Sequence, residues 1–171
     1  LQELSDVSAD HSVEGSSMPA ERILVVDDEE ANRNLLREVL VPLGYRVREA
    51  ADGAEALAAV AESSPDLILL DLMMPRLKGY HVCRELKSDP RTRLLPIIIL
   101  TTLEQLQDKI KAIDLGADDF LNKPFHTIEL TTRVRSLLSL KHFTDEFELA
   151  AKVLRSIALV VEGRDRYTGD H

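Results

Sequence analysis

Leu67-Ile68-Leu69-Leu70, preceded by Asp66 and closed by Asp71, is the run that decides the fold. Four apolar residues in a row lack the alternation of a half-exposed strand and are too few for a helix. They predict a strand buried on both faces. The same pattern stands on either side of it. Upstream, Ile23-Leu24-Val25-Val26 ends in Asp27-Asp28; downstream, Pro96-Ile97-Ile98-Ile99-Leu100 ends in Thr101. Tyr45 to Ala50 and Ala117 to Leu121 read as two further strands. Between them lie amphipathic segments. Glu29 to Leu43 puts Leu35, Leu36, Val39, Leu40 and Leu43 on one stripe and stops at Gly44. Gly53 to Ser63 turns Ala56, Leu57, Val60 and Ala61 inward. The loop Met73 to Gly79 leads into a helix carrying Val82, Cys83 and Leu86. Glu104 to Leu115 is a helix capped by Gly116, and another begins near Thr127. Strand and helix alternate five times, which predicts an α/β protein with a doubly wound, five-stranded parallel sheet covered on both faces.

The 171 residues suffice for one ordinary domain and an appendage. With 44% hydrophobic and 30% charged residues the chain can build a core. No apolar run approaches the roughly 18 to 20 residues of a membrane span. The acidic, polar N-terminus does not resemble a secretory signal. One cysteine excludes an internal disulfide framework and a multi-cysteine zinc site. A net charge of −9 argues against a nucleic-acid-binding surface. The expectation is an acidic cytoplasmic protein. Residues 1–21 hold Ser5, Ser8, Ser12, Ser16 and Ser17 among scattered acids without apolar periodicity, and read as a disordered or appended tail with Met18 as native start.

In a parallel sheet, ligands sit beyond the carboxyl ends of the strands. This sequence puts Asp27, Asp28, Asp71 and Thr101 there, with Lys123 after the fifth strand. Converging carboxylates repel one another. A hard cation resolves the repulsion, and oxygen donors without soft ligands suit Mg2+. A carboxylate left reachable beside that ion can attack phosphorus and become an acyl phosphate. The Thr101 hydroxyl, the Lys123 ammonium and the metal would stabilise the charge on the phosphoryl oxygens. Taken singly these residues have plainer readings: paired aspartates at a strand end are often helix caps. Cys83 on an apolar helix face is a buried inert thiol. The histidines share no metal-ligand spacing.

Four motifs in order, Val25-Val26-Asp27-Asp28-Glu29, Leu69-Leu70-Asp71-Leu72-Met73-Met74-Pro75, Ile99-Leu100-Thr101-Thr102 and Asn122-Lys123-Pro124-Phe125, resemble the receiver domain of two-component response regulators. The resemblance covers residues 22–140 and implies the flavodoxin-like receiver fold. It implies Asp71 as phosphoacceptor for a histidine kinase, Asp28, Asp71 and the backbone carbonyl of Met73 as Mg2+ ligands, and Asp27 acting mostly through water. Lys123 would pair with the phosphoryl group, across a cis bond to Pro124. Thr101 and Phe120 would form a switch pair, although Phe120 stands where many relatives have tyrosine. Modification of Asp71 would draw in Thr101, let Phe120 rotate inward, and change the surface of the fourth helix, fifth strand and fifth helix.

Beyond Leu140 the apolar residues Leu140, Phe143, Phe147, Ala150, Leu154, Ile157 and Val161 recur by threes and fours, a heptad seam. The fifth helix has its own seam of Leu130, Val134 and Leu137, and the step to Leu140 adds a second three, a stammer in the repeat. One long helix is expected to leave the domain by about 35 Å. Residues 141–163 would form a coiled-coil linker in a parallel homodimer; a further domain or a neighbouring molecule is the other way to cover the seam. Ile157 to His171 resembles the opening of an HD-GYP domain, a family of metal-dependent cyclic di-GMP phosphodiesterases. Gly163 and Tyr167-Thr168-Gly169-Asp170-His171 fit it; Arg166 departs from the usual proline. The resemblance implies that residues 164–171 begin a truncated output domain in which His171 would be a metal ligand. No HD pair and no GYP motif occur, so this chain is expected not to be an enzyme, while its parent would be the phosphodiesterase.

Three rivals remain. A haloacid-dehalogenase-like phosphatase has Asp-x-Asp after its first strand, where this chain has adjacent aspartates. A flavodoxin-like FMN binder needs a hydroxyl- and glycine-rich phosphate loop where this chain has carboxylates. A degenerate receiver would serve only as a constitutive dimerisation module.

Overall fold

The structure, a computed structural model, describes residues 20–75, 79–102, 110 and 113–165, with side chains to 159. Five parallel strands, β1 (Arg22–Val26), β2 (Arg46–Ala50), β3 (Leu67–Asp71), β4 (Ile97–Thr101) and β5 (Asp119–Asn122), stand in the order β2-β1-β3-β4-β5. Among the described residues, helices α1 (Glu30–Leu40), α2 (Gly53–Glu62), α3 (Gly79–Ser88) and α4 (Thr127–Asp165) accompany the sheet. The strand order reverses between β1 and β3, which pair Val26 with Leu70. That reversal opens a crevice at the carboxyl ends of the two strands.

Within each apolar run, alternate residues serve opposite layers. Ile23, Val25, Leu67 and Leu69 pack with Leu36 and Leu40 of α1 and with Leu130, Val134 and Leu138 of α4. Leu24, Val26, Ile68 and Leu70 pack with Ala56 and Val60 of α2 and Val82 and Leu86 of α3. All five residues of β3 are buried, as are all five of β4. Each fully buried aliphatic side chain contributes roughly 1.5–3 kcal/mol, so the central strands carry much of the fold.

Three local readings are corrected. β2 is half-exposed because it is an edge strand paired only with β1, and its Arg46 and Arg48 reach solvent. On α1, Leu36 and Leu40 are buried, whereas Leu35 and Leu43 are 52% and 49% exposed. Leu35 lies a third of a turn off the buried stripe, and Leu43 belongs to the 3-10 turn Val41–Leu43, which ends at Gly44 with φ 93°. On α2 the inward residue is Ala59 rather than Ala61; three and four residues after Ala56 share its face, five do not.

Of the expected helix at Glu104 to Leu115, residues 110, 113 and 114 are helical and the remainder lies outside the described residues. So do residues 1–19, residues 76–78 of the loop after β3, and residues 166–171 of the short C-terminal match, His171 among them. α4 is one helix of 39 residues. It begins beside the crevice and reaches the opposite end of the sheet, where Lys141 Nζ lies 4.0 Å from Asp66 Oδ1 and His142 Nε2 lies 3.8 Å from Glu21 Oε1. Beyond that point Leu140, Phe143, Phe147, Ala150, Leu154 and Ile157 are exposed; the Val161 side chain is outside the described residues. Among the described residues no helix is long and apolar enough to cross a membrane.

Candidate functional site

Asp27 directly follows the inner strand β1 and is fully buried. Its N–H is held by the Ala50 carbonyl at 3.2 Å. Its carboxylate accepts from the Glu29 N–H at 2.9 Å and from Asn32 Nδ2 at 3.2 and 3.1 Å. Asp71 ends the neighbouring strand β3, and its Oδ1 accepts from the Met73 N–H at 3.0 Å. Lys123, in the turn between β5 and α4, joins the two: its Nζ donates to Asp27 Oδ2 at 2.6 Å and Asp71 Oδ2 at 2.8 Å. The Lys123 main chain is tied to β4, its N–H donating to the Thr101 carbonyl at 2.8 Å, and the bond from Lys123 to Pro124 is cis. Burial pulls the Lys123 pKa down, yet hydrogen bonds to Asp27 and Asp71 and their negative charges outweigh it and leave the pKa raised. Lys123 is therefore an ammonium ion at neutral pH.

Asp28 is exposed at the mouth of the crevice. One carboxylate oxygen from each of Asp27, Asp28 and Asp71 lies within 4.8 Å of the others. Three hard oxygen donors with a net negative charge fit a small divalent cation such as Mg2+. Thr101 is buried at the end of β4, next to the strand that carries Asp71. Phe120, expected as its switch partner, is partly buried against the α2–α3 layer and faces Ile99 in register. Met73 is 57% exposed and is tied to Asp71 through its N–H.

Contacts that only the fold creates complete the site. Asn32 and Arg33, on the first turn of α1, hold the Asp27–Asp28 segment: Arg33 Nη1 donates to the Asp27 carbonyl at 2.8 Å and the Asp28 carbonyl at 3.2 Å. Their sequence signal was two polar residues five and six places after the first aspartate. Gly79 backs directly onto the Asp71 main chain. A Cβ at Gly79 would stand 2.2 Å from the Asp71 carbonyl oxygen and 2.8 Å from Leu72 Cα. Backbone cannot yield as a flexible side chain does, so Gly79→Ala is expected to cost about 1–3 kcal/mol and to displace Asp71. Urea unfolding measures the cost, and an unchanged midpoint would mean that the loop absorbs the methyl group.

An apolar hollow of about 300 Å³ adjoins Lys123, lined by Asn32, Leu35, Leu36, Thr102, Pro124 and Phe125. Cys83 lies away from the site, fully buried under α3. Burial pushes its thiol up to about 11, with Lys87 opposing and Asp118 adding. Iodoacetamide at neutral pH should leave Cys83 unmodified in the folded protein and alkylate it in denaturant; rapid alkylation without denaturant would contradict its inert, packed role.

Known proteins resemble this chain in sequence and fold. The family model described as the response regulator receiver domain matches residues 23–135. The chain is 44% identical over 148 residues to "Response regulator PleD" of Caulobacter vibrioides, spanning 86% of this chain and 33% of that protein. It is 46% identical over 131 residues to "DNA-binding dual master transcriptional regulator RpaA" of Synechocystis, spanning 77% of this chain and 53% of that one. The chain thus spans a third to about a half of the length of these relatives. Among solved structures, the signal receiver domain of a signal transduction histidine kinase from Syntrophus aciditrophicus superposes with a TM-score of 0.67 at 38% identity, over 70% of this chain and 91% of that one. Chemotaxis protein CheY4 of Vibrio cholerae gives 0.66 at 30% identity, over 69% and 98%.

Proposed function

Because this chain belongs to the response regulator receiver domain family, we propose that Asp71 is its phosphoacceptor and that α4 relays the modified state to a C-terminal output. The observation that carries this reading is Lys123 Nζ bridging Asp27 and Asp71 at 2.6 and 2.8 Å beside the exposed Asp28. Asp28 and Asp71, with the backbone carbonyl of Met73, would hold Mg2+, and Asp27 would act through water. Bound there, Mg2+ would neutralise charge on the phosphoryl oxygens. An Asp71 carboxylate oxygen attacks phosphorus, the bond from phosphorus to the donor's histidine nitrogen breaks, and an acyl phosphate remains. Lys123 then exchanges its contact with the carboxylate for one with a phosphoryl oxygen, while Thr101 and Phe120 adjust as the switch pair. The apolar hollow beside Lys123 gives a kinase surface a place to exclude water from the transfer.

The exposed seam from Leu140 to Ile157 supports a homodimer formed through α4, since helix faces with this spacing bury themselves against a partner helix. The short likeness of residues 157–171 to an HD-GYP opening supports a cyclic di-GMP phosphodiesterase as the parent's output, with His171 among its metal ligands. This chain itself would be a cytoplasmic signalling module. A degenerate receiver serving as a fixed dimerisation module is the second reading, favoured by the same seam.

Intact mass and light scattering after incubation with acetyl phosphate, with Mg2+ or with EDTA, separate the two. The expected product is an adduct of about 80 Da that forms only with Mg2+. No adduct from any donor would favour the degenerate module. A monomer at all concentrations would remove the seam's assigned role.

A further inference from the structure

We propose that Arg33 is a positioning residue for the cation site: it clamps the Asp27–Asp28 main chain, and Glu49 keeps its guanidinium away from the carboxylates. The proposal rests on the reading of Asp27, Asp28 and Asp71 as that site. The turn from β1 into α1 needs such a clamp. Glu29, the residue just before α1 at its N-cap, makes no side-chain capping bond. The turn therefore lacks the usual local fixture of a helix start, and Asp27 already spends one carboxylate oxygen on the Glu29 N–H. Arg33 reaches back and grips the carbonyls of both aspartates with a single nitrogen, at 2.8 and 3.2 Å.

A guanidinium held on the main chain of two aspartates has carboxylate pairing as its strongest alternative, because a bidentate pair suits its fork. It is turned aside instead. Arg33 Nε faces Glu49 Oε2 at 3.4 Å, and the other oxygen of Glu49 accepts from Arg37 Nη1 at 2.9 Å. Glu49 sits on β2 beside Val25 in register, so the edge strand supplies a fixed anchor. The Arg33 side chain is only 14% exposed, which limits its alternatives. Arg33 Nε is thus directed to Glu49, which it shares with Arg37, and Nη1 to the two carbonyls, so these bonds of Arg33 take up no aspartate carboxylate oxygen.

Position and charge predict opposite signs. If Arg33 acted only through its charge, Arg33→Met would tighten cation binding and Arg33→Lys would leave it unchanged. As a clamp, both substitutions loosen it, since lysine offers a point charge without the directed fork. The probe is Mn2+, followed by the electron paramagnetic resonance signal of the free ion, with circular dichroism melting of each protein in metal-free buffer. The expected result is saturable binding by the unsubstituted chain and a loss of affinity of about 10-fold in both variants, with their secondary structure intact. Equal or tighter binding by Arg33→Met overturns the clamp; if that variant does not fold, unchanged binding by Arg33→Lys overturns it. Failure of the unsubstituted chain to bind Mn2+ is a different outcome, which removes the cation site and the clamp with it.

Discussion

Lys123→Ala is expected to lower the unfolding free energy by about 3 kcal/mol in metal-free buffer at neutral pH, the lower end of what removing one partner of a buried ion pair costs. The Asp27 side chain is 1% exposed and that of Asp71 10%, and one ammonium lies at hydrogen-bond distance from both, halving their combined negative charge. Without it the two carboxylates remain buried together. The Glu29 N–H and Asn32 still serve Asp27, which keeps the cost from being larger. Millimolar Mg2+ should restore much of the lost stability, because a ligand that binds only the folded state stabilises it by mass action. Urea unfolding with EDTA and with Mg2+ measures both effects. A variant as stable as the parent in EDTA would show that Lys123 does not carry this charge balance. The same variant is expected to accept a phosphoryl group and fail to switch, and an unchanged conformational response to phosphorylation would refute the switching role of Lys123.

Asp71→Asn is expected to abolish phosphorylation while leaving the fold intact. The amide oxygen can still accept from the Met73 N–H, and Lys123, which loses its acceptor on residue 71, keeps its bond to Asp27. What disappears is the nucleophile, since a neutral amide oxygen does not form an acyl phosphate at a useful rate. One negative charge also leaves the acidic trio, so Mg2+ affinity falls as well. Intact mass after acetyl phosphate treatment reads the first effect and circular dichroism checks the fold. An adduct persisting in Asp71→Asn would place the acceptor elsewhere.

The sheet was legible because its inner strands, β1, β3 and β4, are buried on both faces. A run such as Leu67 to Leu70 has no alternation to misread, and the carboxylate at its end marks where the strand stops. The acids and Lys123 were legible for the same reason: each follows a strand, and parallel strands bring their ends together. What the residues alone did not disclose depends on contacts between elements distant in the chain. Leu35 looked like a core residue by periodicity but lies at the rim of a hollow beside Phe125. Gly79 matters because of how closely α3 approaches Asp71. Arg33 acts through Glu49, sixteen residues away on another strand. Edge position, likewise, is a property of the strand order: the polar alternation of Arg46 to Ala50 signals exposure, but only the pairing of β1 with β3 on its other side puts β2 at the edge.

The measurement that bears most directly on the central claim is reductive mapping of the phosphorylated protein. Borohydride reduces an acyl phosphate on aspartate to an alcohol, releasing phosphate and converting that one residue to homoserine. After treatment with acetyl phosphate and Mg2+, peptide mass spectrometry should find homoserine at position 71 and aspartate at positions 27 and 28. Homoserine at either of those positions, or at none, would contradict the assignment of Asp71 as the phosphoacceptor.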